Sequence, residues 1–331
     1  MHRTLDARHD RFVLSHPFRI SRGVKTLADV ITVTVREGGA TGRGEGVPYQ
    51  RYGEDIESAL AAVEAVREAV EAGADRCRLL SILPAGAARN AIDCALWELE
   101  AQRSGRSVAS IIGAPPPERM ISALTIVIDA PDAMELAARR VADAPLLKVK
   151  VDSNDPAAQV RAVRRGAPSA TLIVDPNESW DQALVEAMQP VLIEAAVALL
   201  EQPLPAEADE WLENFEPAVP ICADEAIHVA ADLPAVARRY QAINIKLDKT
   251  GGLTAALELV RAARASGLGV MTGCMVSSSL SIAPALHIAR LSDFADLDGP
   301  LWLREDRPGG VTNEDGILVP PKAGFWGTPC G

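Results

Sequence analysis

Leu146-Leu147-Lys148-Val149-Lys150-Val151 is an apolar, β-branched run that reads as a strand, yet it carries two lysines two residues apart. That spacing puts both on one face. Two ammonium groups inside an apolar strand cost free energy if they are buried without purpose. The same pattern, a short apolar run meeting one polar residue, recurs along the chain. Residues 171–174 end at Asp175, residues 197–200 at Glu201 and residues 221–223 at Asp224, and the run 242–247 contains Lys246. With 121–128, 269–272 and 294–297, these make eight strand candidates, most of them separated by a helix-length insert. Such alternation predicts a parallel α/β sheet, and eight repeats predict a closed barrel. The alternative, an open doubly wound sheet, normally carries a Gly-rich phosphate loop after its first strand, and none is visible.

A chain of 331 residues leaves room for a smaller domain beside such a barrel. Residues 29–36 alternate as a strand, and Gly38, Gly39, Gly42, Gly44 and Gly46 are expected to punctuate the turns after it. Residues 57–72 and 87–103 have helical spacing, the second with Ile92, Leu96, Trp97 and Leu99 available to a core. Gly113 and Pro115-Pro116-Pro117 then break the chain, which predicts an N-terminal α+β domain over 1–117 and a barrel over 118–303.

The net charge of −12 argues against a nucleic-acid backbone or an anionic membrane as the main partner. The N-terminus lacks the apolar run of a signal peptide, and the most apolar stretch, 191–200, is short and contains Glu194. The five cysteines, Cys77, Cys94, Cys222, Cys274 and Cys330, show no Cys-x-x-Cys spacing, which points away from a zinc site or disulfide framework and toward a reduced, cytoplasmic setting.

In a parallel barrel all strand C-termini open on one face, so Asp175, Glu201 and Asp224 converge. Three like charges repel unless a cation neutralises them, and hard oxygen ligands suit Mg²⁺, with Mn²⁺ as the alternative. Taken singly, each acid also suits a helix N-cap. Lys148 and Lys150 have a reading as tuned bases, each charge and a nearby metal lowering the other's pKa; the alternative is the basic face of an exposed edge strand. Lys246 lies near the end of its strand, before Gly251 and Gly252, which suit a tight turn. Lys150 on the second strand and Lys246 on the sixth stand nearly opposite, with the three acids on the strands between.

Lys-x-Lys (148–150), Asp-x-Asn (175–177), Glu-Gln-Pro (201–203), Asp-Glu (224–225) and Asn-Ile-Lys-Leu-Asp-Lys-Thr-Gly-Gly (244–252) together resemble the muconate-lactonizing subgroup of the enolase superfamily. The resemblance implies a (β/α)7β modified TIM barrel, a capping domain that includes the tail 304–331, and one Mg²⁺ on Asp175, Glu201 and Asp224. It also implies lysine acid–base chemistry on a metal-stabilised enediolate. Within the subgroup, residues 18–23, 51–54, 83–90 and Asp296-Leu297-Asp298-Gly299-Pro300 are most similar to dipeptide epimerases of the L-Ala-D/L-Glu type. Asp296 and Asp298 share a strand face and suit a free ammonium group, or else cap the next turn. The resemblance gives Arg22 the side-chain carboxylate of the substrate and places Lys148 and Thr125 on the substrate as well; Arg22 also reads as an ordinary exposed arginine. Pro176 departs from the pattern but keeps Asp175 extended. The run 274–279 stands where some relatives carry an acid.

The expected activity is 1,1-proton transfer at the α-carbon of a dipeptide's C-terminal residue, in murein peptide metabolism, by a chain free to form homo-oligomers. Muconate cycloisomerase or o-succinylbenzoate synthase chemistry is the first alternative. A non-catalytic metabolite-binding barrel is the second.

Overall fold

In the computed structural model, which describes residues 2–329, the chain opens with strands β1 (Arg3–Ile20), β2 (Gly23–Glu37) and β3 (Ala40–Gly46), joined as an antiparallel sheet in that order. Helices α1 (Ile56–Ala65), α2 (Arg67–Glu71), α3 (Arg76–Ile82), α4 (Ala87–Ser104) and α5 (Val108–Ile112) follow. Asp55 starts α1 with a capping box, its carboxylate accepting from the Ser58 amide while the Ser58 hydroxyl accepts from the Asp55 amide. The helix expected over 57–72 is two helices, because Val66 leaves helical geometry at φ −109, ψ 4. Ile31, Val33 and Val35 of β2 pack with Val63, Leu79, Ile92 and Leu96 into one core.

Two features differ from the sequence reading. Strand β1 was not expected; Leu5 and Leu14 are its buried residues, so it shows little apolar alternation. Gly42, Gly44 and Gly46 are not turn residues but lie inside β3. A Cβ on each would sit 1.9, 2.1 and 2.1 Å from the carbonyl oxygens of Ala95, Ala91 and Ala87. Two strand residues rise about 6.7 Å and four helical residues about 6.0 Å. The bare face of β3 therefore stays in step with the alanine ridge of α4.

After the proline break, β4 (Met120–Ile121) precedes eight parallel strands: β5 (Leu124–Ile126), β6 (Leu146–Lys150), β7 (Thr171–Asp175), β8 (Val197–Glu201), β9 (Ile221–Ala223), β10 (Ala242–Ile245), β11 (Gly269–Gly273) and β12 (Phe294–Asp296). They neighbour one another in chain order. The Ala123 amide donates to the Ala295 carbonyl at 2.8 Å across the remaining gap, so the sheet is a nearly closed barrel. Helices α6 (Pro131–Arg140), α7 (Pro156–Gly166), α8 (Gln182–Glu194), α9 (Leu233–Val236), α10 (Leu247–Thr250), α11 (Leu253–Ala265) and α12 (Ser279–Ala289) fill the crossovers. The link from β8 to β9 holds 3-10 turns instead, and β12 is followed by the 3-10 turn Gly299–Trp302. The architecture is the (β/α)7β barrel with an α+β N-terminal part.

The strand expected over 121–128 is split. Met120 and Ile121 pair antiparallel with the tail strand β14 (Ile317–Val319), itself paired with β13 (Thr312–Glu314). Ser122 turns the chain into the barrel, its amide donating to Gly316 and its hydroxyl accepting from Leu297. Cys77, Cys94, Cys222 and Cys274 are free thiols, and Cys330 lies outside the described residues. No helix among the described residues is long and apolar enough to cross a membrane.

Candidate active site

Inward-facing side chains alternate along each barrel strand. The floor of the barrel is apolar: Ala123, Leu146, Ile173, Leu199, Cys222 and Ala242 form one cluster. One step of two residues along each of these strands reaches Thr125, Lys148, Asp175, Glu201, Asp224 and Asn244, and a second step reaches Lys150 and Lys246. On β12 the same parity runs from Phe294, packed on the floor, to Asp296; the strand expected to carry both acids ends there, and Asp298 begins the 3-10 turn at φ −83, ψ 3 while still lining the cavity. Because the strands are parallel, this polar layer gathers at one mouth.

Every residue singled out from the sequence lies there except Arg22, which reaches it from the β1–β2 turn. The exposed-edge alternative for Lys148 and Lys150 falls, since both are buried inside the barrel. The Lys148 ammonium sits among three carboxylates: Glu201 Oε2 at 2.7 Å, Asp296 Oδ2 at 2.8 Å and Asp175 Oδ2 at 3.2 Å. Lys150 pairs with Asp175 at 2.5 Å and Lys246 with Asp224 at 2.7 Å. The Thr125 amide donates to Asp298 Oδ2 at 2.8 Å, and the Trp302 indole donates to the same oxygen at 3.2 Å.

Burial and neighbouring charges set the protonation of this layer. Burial and the charge of Asp175 push Glu201 up to about 8, against the pull of Lys148. Burial also works against the Asp175 carboxylate, but Lys150 and Lys148 win and hold it at about 2. Burial and Asp296 raise Asp298 to about 6, which leaves it mostly ionised at neutral pH. The lowering expected within the Lys148–Lys150 pair is corrected at Lys148: burial pulls it down, but Asp296, Glu201 and Asp175 outweigh that and raise it. Lys246 is raised too, since the Asp224 carboxylate overrides the burial and the Lys148 charge that pull it down.

Several participants were not singled out from the sequence. Lys249, on the short helix α10, donates to Asp224 Oδ1 at 2.6 Å and to the Asn244 carbonyl at 3.0 Å. The Asn244 side-chain amide donates to Glu201 Oε1 at 2.8 Å. Asn244 has the inward parity of the site, a signal available in the sequence; Lys249 has none. The N-terminal part contributes Phe18, Ile20, Arg22, Lys25, Tyr49 and Tyr52 to the roof of the cavity, which encloses about 60 Å³. Arg22 is tied to Glu178 at 3.0 Å and to Glu225 at 2.7 Å.

The donor set fits a hard divalent cation. Asp175, Glu201 and Asp224 end adjacent strands, and the buried Glu201 Oε2 has no hydrogen-bond partner, since its 2.7 Å approach to Lys148 lies outside hydrogen-bonding geometry. Among the described residues no three acidic, imidazole or thiolate groups are already drawn into a metal cage. The three carboxylates turn to the lysines instead.

Residues 3–113 match the family described as mandelate racemase / muconate lactonizing enzyme, N-terminal domain, and residues 132–325 match enolase C-terminal domain-like. The chain is 48% identical to an L-Ala-D/L-Glu epimerase of Escherichia coli strain K12, over 92% of this chain and 95% of that one. It superposes with a TM-score of 0.96 and 46% identity on an enolase family member from Agrobacterium tumefaciens that has homology to dipeptide epimerases and holds sodium and L-Ala-L-Glu. That match covers 98% of this chain and 100% of the other. A dipeptide epimerase from Methylococcus capsulatus, complexed with Mg and L-Arg-D-Lys, is similar with a TM-score of 0.88 and 32% identity, over 97% of this chain and 98% of its own.

Proposed function

Because the chain belongs to the mandelate racemase / muconate lactonizing enzyme family of the enolase superfamily, we propose that it is a Mg²⁺-dependent dipeptide epimerase that inverts the α-carbon of the C-terminal residue of L-Ala-D/L-Glu. The observation that carries this reading is the placement of Lys150 on β6 and Lys246 just past β10, both lining one cavity with the acid-bearing ends of β7, β8 and β9 between them. A base on either side of a bound carbon removes a proton from one face and returns one to the other.

Asp175, Glu201 and Asp224 would hold the metal, with Mn²⁺ as a substitute. When bound, it supplies charge neutralisation for the substrate carboxylate as the α-proton leaves. Lys148, buried among Glu201, Asp296 and Asp175, adds a fixed positive charge beside the reacting centre. Asp296 and Asp298 receive the substrate ammonium. Asp296 Oδ1 is buried without a hydrogen-bond partner and so has an acceptor to offer. The Thr125 amide holds Asp298 in place, and Arg22 forms part of the wall met by the substrate side chain.

The division into a cap of 1–117 with 304–331 and a barrel of 118–303 belongs to this reading. So do a cytoplasmic location, a role in murein peptide recycling and freedom to form homo-oligomers. Cycloisomerase or dehydratase chemistry needs no ammonium-binding acid pair, which favours the epimerase. The test is α-deuterium incorporation from D₂O across a dipeptide library with Mg²⁺ present. L-Ala-L-Glu should exchange and its N-acetyl form should lose at least about tenfold, the loss of one charge-assisted contact. Equal exchange from both forms would remove the dipeptide reading and leave an N-acyl amino acid racemase.

A further inference from the structure

The two lysines proposed as bases are held in place by different means. Lys150 is the last residue of β6, in register with Asp175, and the Val151 amide donates to the Asp175 carbonyl at 3.2 Å. The barrel sheet itself therefore fixes its backbone. Lys246 stands just past the end of β10. Its carbonyl accepts from the Lys249 and Thr250 amides, both at 3.0 Å, and so opens the single turn of α10. The backbone of Lys246 is set by where α10 sits.

Helix α10 is fastened on two sides. Toward the barrel, Lys249 donates to Asp224 Oδ1 and to the Asn244 carbonyl. Toward the N-terminal part, Asp248 is buried, and its Oδ1 accepts from the Val47 amide at 2.9 Å and from the Asn90 side-chain amide at 2.8 Å. Asn90, on α4, also donates to the Glu45 carbonyl at 3.1 Å, which joins α4 to the end of β3 at the same point. Gly251 and Gly252 let α4 come this close: an added Cβ would lie 2.4 Å from Arg89 Nε and 2.5 Å from Asp93 Cβ. Asp248 does not line the catalytic cavity. Burial pushes its carboxyl up to about 7, with the Glu54 and Glu45 charges adding to the rise and the bonds from Val47 and Asn90 opposing it. A charge is costly here, so what the position contributes is an acceptor oxygen.

Resting on the dipeptide reading above, we infer that Asp248 is a positioning residue for Lys246: through α10 it lets the N-terminal part set the place of one base and not of the other. The consequence is asymmetric. Loosening the Asp248 contact shifts Lys246 against the bound α-carbon, where a misplacement of about 1 Å costs about 10²-fold. Lys150 keeps the register of β6 throughout.

The experiment follows α-deuterium incorporation from D₂O into L-Ala-L-Glu and L-Ala-D-Glu by the Mg²⁺-loaded full chain, for the wild type, Lys246→Ala, Asp248→Ala, Asp248→Asn and Asn90→Ala. Asp248→Ala should lower exchange from the isomer that Lys246→Ala silences about 10–100-fold and leave the other within about threefold of the wild type, the scale of losing an outer-shell partner. Asp248→Asn keeps an oxygen for both donors and should restore most of the loss. Asn90→Ala removes one donor and should separate the two isomers in the same sense; it carries the comparison if Asp248→Ala does not fold. Equal loss from both isomers in the folded variants, a loss confined to the opposite isomer, no loss at all, or an Asp248→Asn variant as damaged as Asp248→Ala overturns the assignment while the epimerase reading stands. Equal loss from both isomers in Lys246→Ala overturns the two-base reading beneath it. Absence of exchange by the wild type overturns the dipeptide reading as well.

Discussion

Each lysine proposed as a base is tied to a different one of the proposed metal ligands: Lys150 to Asp175 and Lys246 to Asp224. Lys249 then holds the other oxygen of Asp224, so Lys246 meets a carboxylate that is already fixed. Two separately held bases predict stereospecific damage. In D₂O, Lys150→Ala and Lys246→Ala should each abolish α-deuterium exchange from one stereoisomer of L-Ala-Glu and spare part of the exchange from the other. A general base is worth about 10²–10⁴ in rate, a loss that NMR integration resolves. Equal loss from both isomers in both variants, with fold and Mg²⁺ binding intact, would leave two-base chemistry without support. The acids and lysines were legible in the sequence because inward parity is a local property, visible within five or six residues of a strand. Lys249 was not. Its role depends on the group that the fold sets beside it, Asp224.

At the scale of elements, β3 lies close against α4 through Gly42, Gly44 and Gly46. Gly44 has no room for a side chain, since an added Cβ meets the Ala91 carbonyl oxygen at 2.1 Å and the Ala95 amide nitrogen at 2.9 Å. Both obstacles are backbone, so neither can rotate away. Gly44→Ala should therefore destabilise by about 1–3 kcal/mol, the range for overpacking, or by more if the helix is displaced. Gly39 is a different case: its φ of +87 disfavours a side chain, but nothing lies within 4 Å of the added atom. Gly39→Ala should cost about 1–2 kcal/mol through backbone strain alone and leave substrate exchange untouched. Urea unfolding with an activity assay separates the two; a Gly44→Ala variant as stable as the wild type would mean the two elements pack less closely. The glycines misled the sequence reading because glycine in a turn and glycine under a helix look alike in one dimension. The helices were easier to read, since apolar spacing reports a buried face whatever lies opposite.

At the scale of the molecule, α4 docks on the loop between β10 and α11. The Arg89 guanidinium donates to the carbonyls of Thr250 at 2.6 Å and Gly251 at 3.0 Å. The Asp93 carboxylate accepts from the Thr254 amide at 2.9 Å and the Thr254 hydroxyl at 2.6 Å, capping the first turn of a barrel helix from the N-terminal part. The tail adds a strap. Arg307 joins Asp10 at 3.0 Å and Thr32 and Glu45 at 2.8 Å in the N-terminal sheet, and its Nε donates to the Ser278 hydroxyl beside the cavity loop at 2.7 Å. The Asp93 contact gives stability a pH signature. Burial pushes its carboxyl up to about 6 despite the hydrogen bonds from Thr254, against about 3.9 in an unfolded chain. A carboxyl raised in the folded state contributes stability that is complete below about pH 4 and is lost as pH rises through about 6. The difference in Tm between the wild type and Asp93→Asn should therefore shrink between pH 4.5 and pH 7.5. A difference that is flat or grows over that interval would mean that Asp93 is not held up by its burial.

The amino-acid order alone carried the barrel, the ring of acids between two lysines, and the acid that ends the last strand, Asp296. All three follow from period-two alternation on short parallel strands, which is written in neighbouring residues. Contacts between residues far apart in the chain settled the rest. The split of 120–126 between two sheets, the glycine face under α4 and the ion pairs of Arg22 all arise where remote segments meet. Burial and Coulomb energy depend on distance in space, and the 2.7 Å from Arg22 to Glu225 exists only once the N-terminal sheet has closed over the barrel mouth.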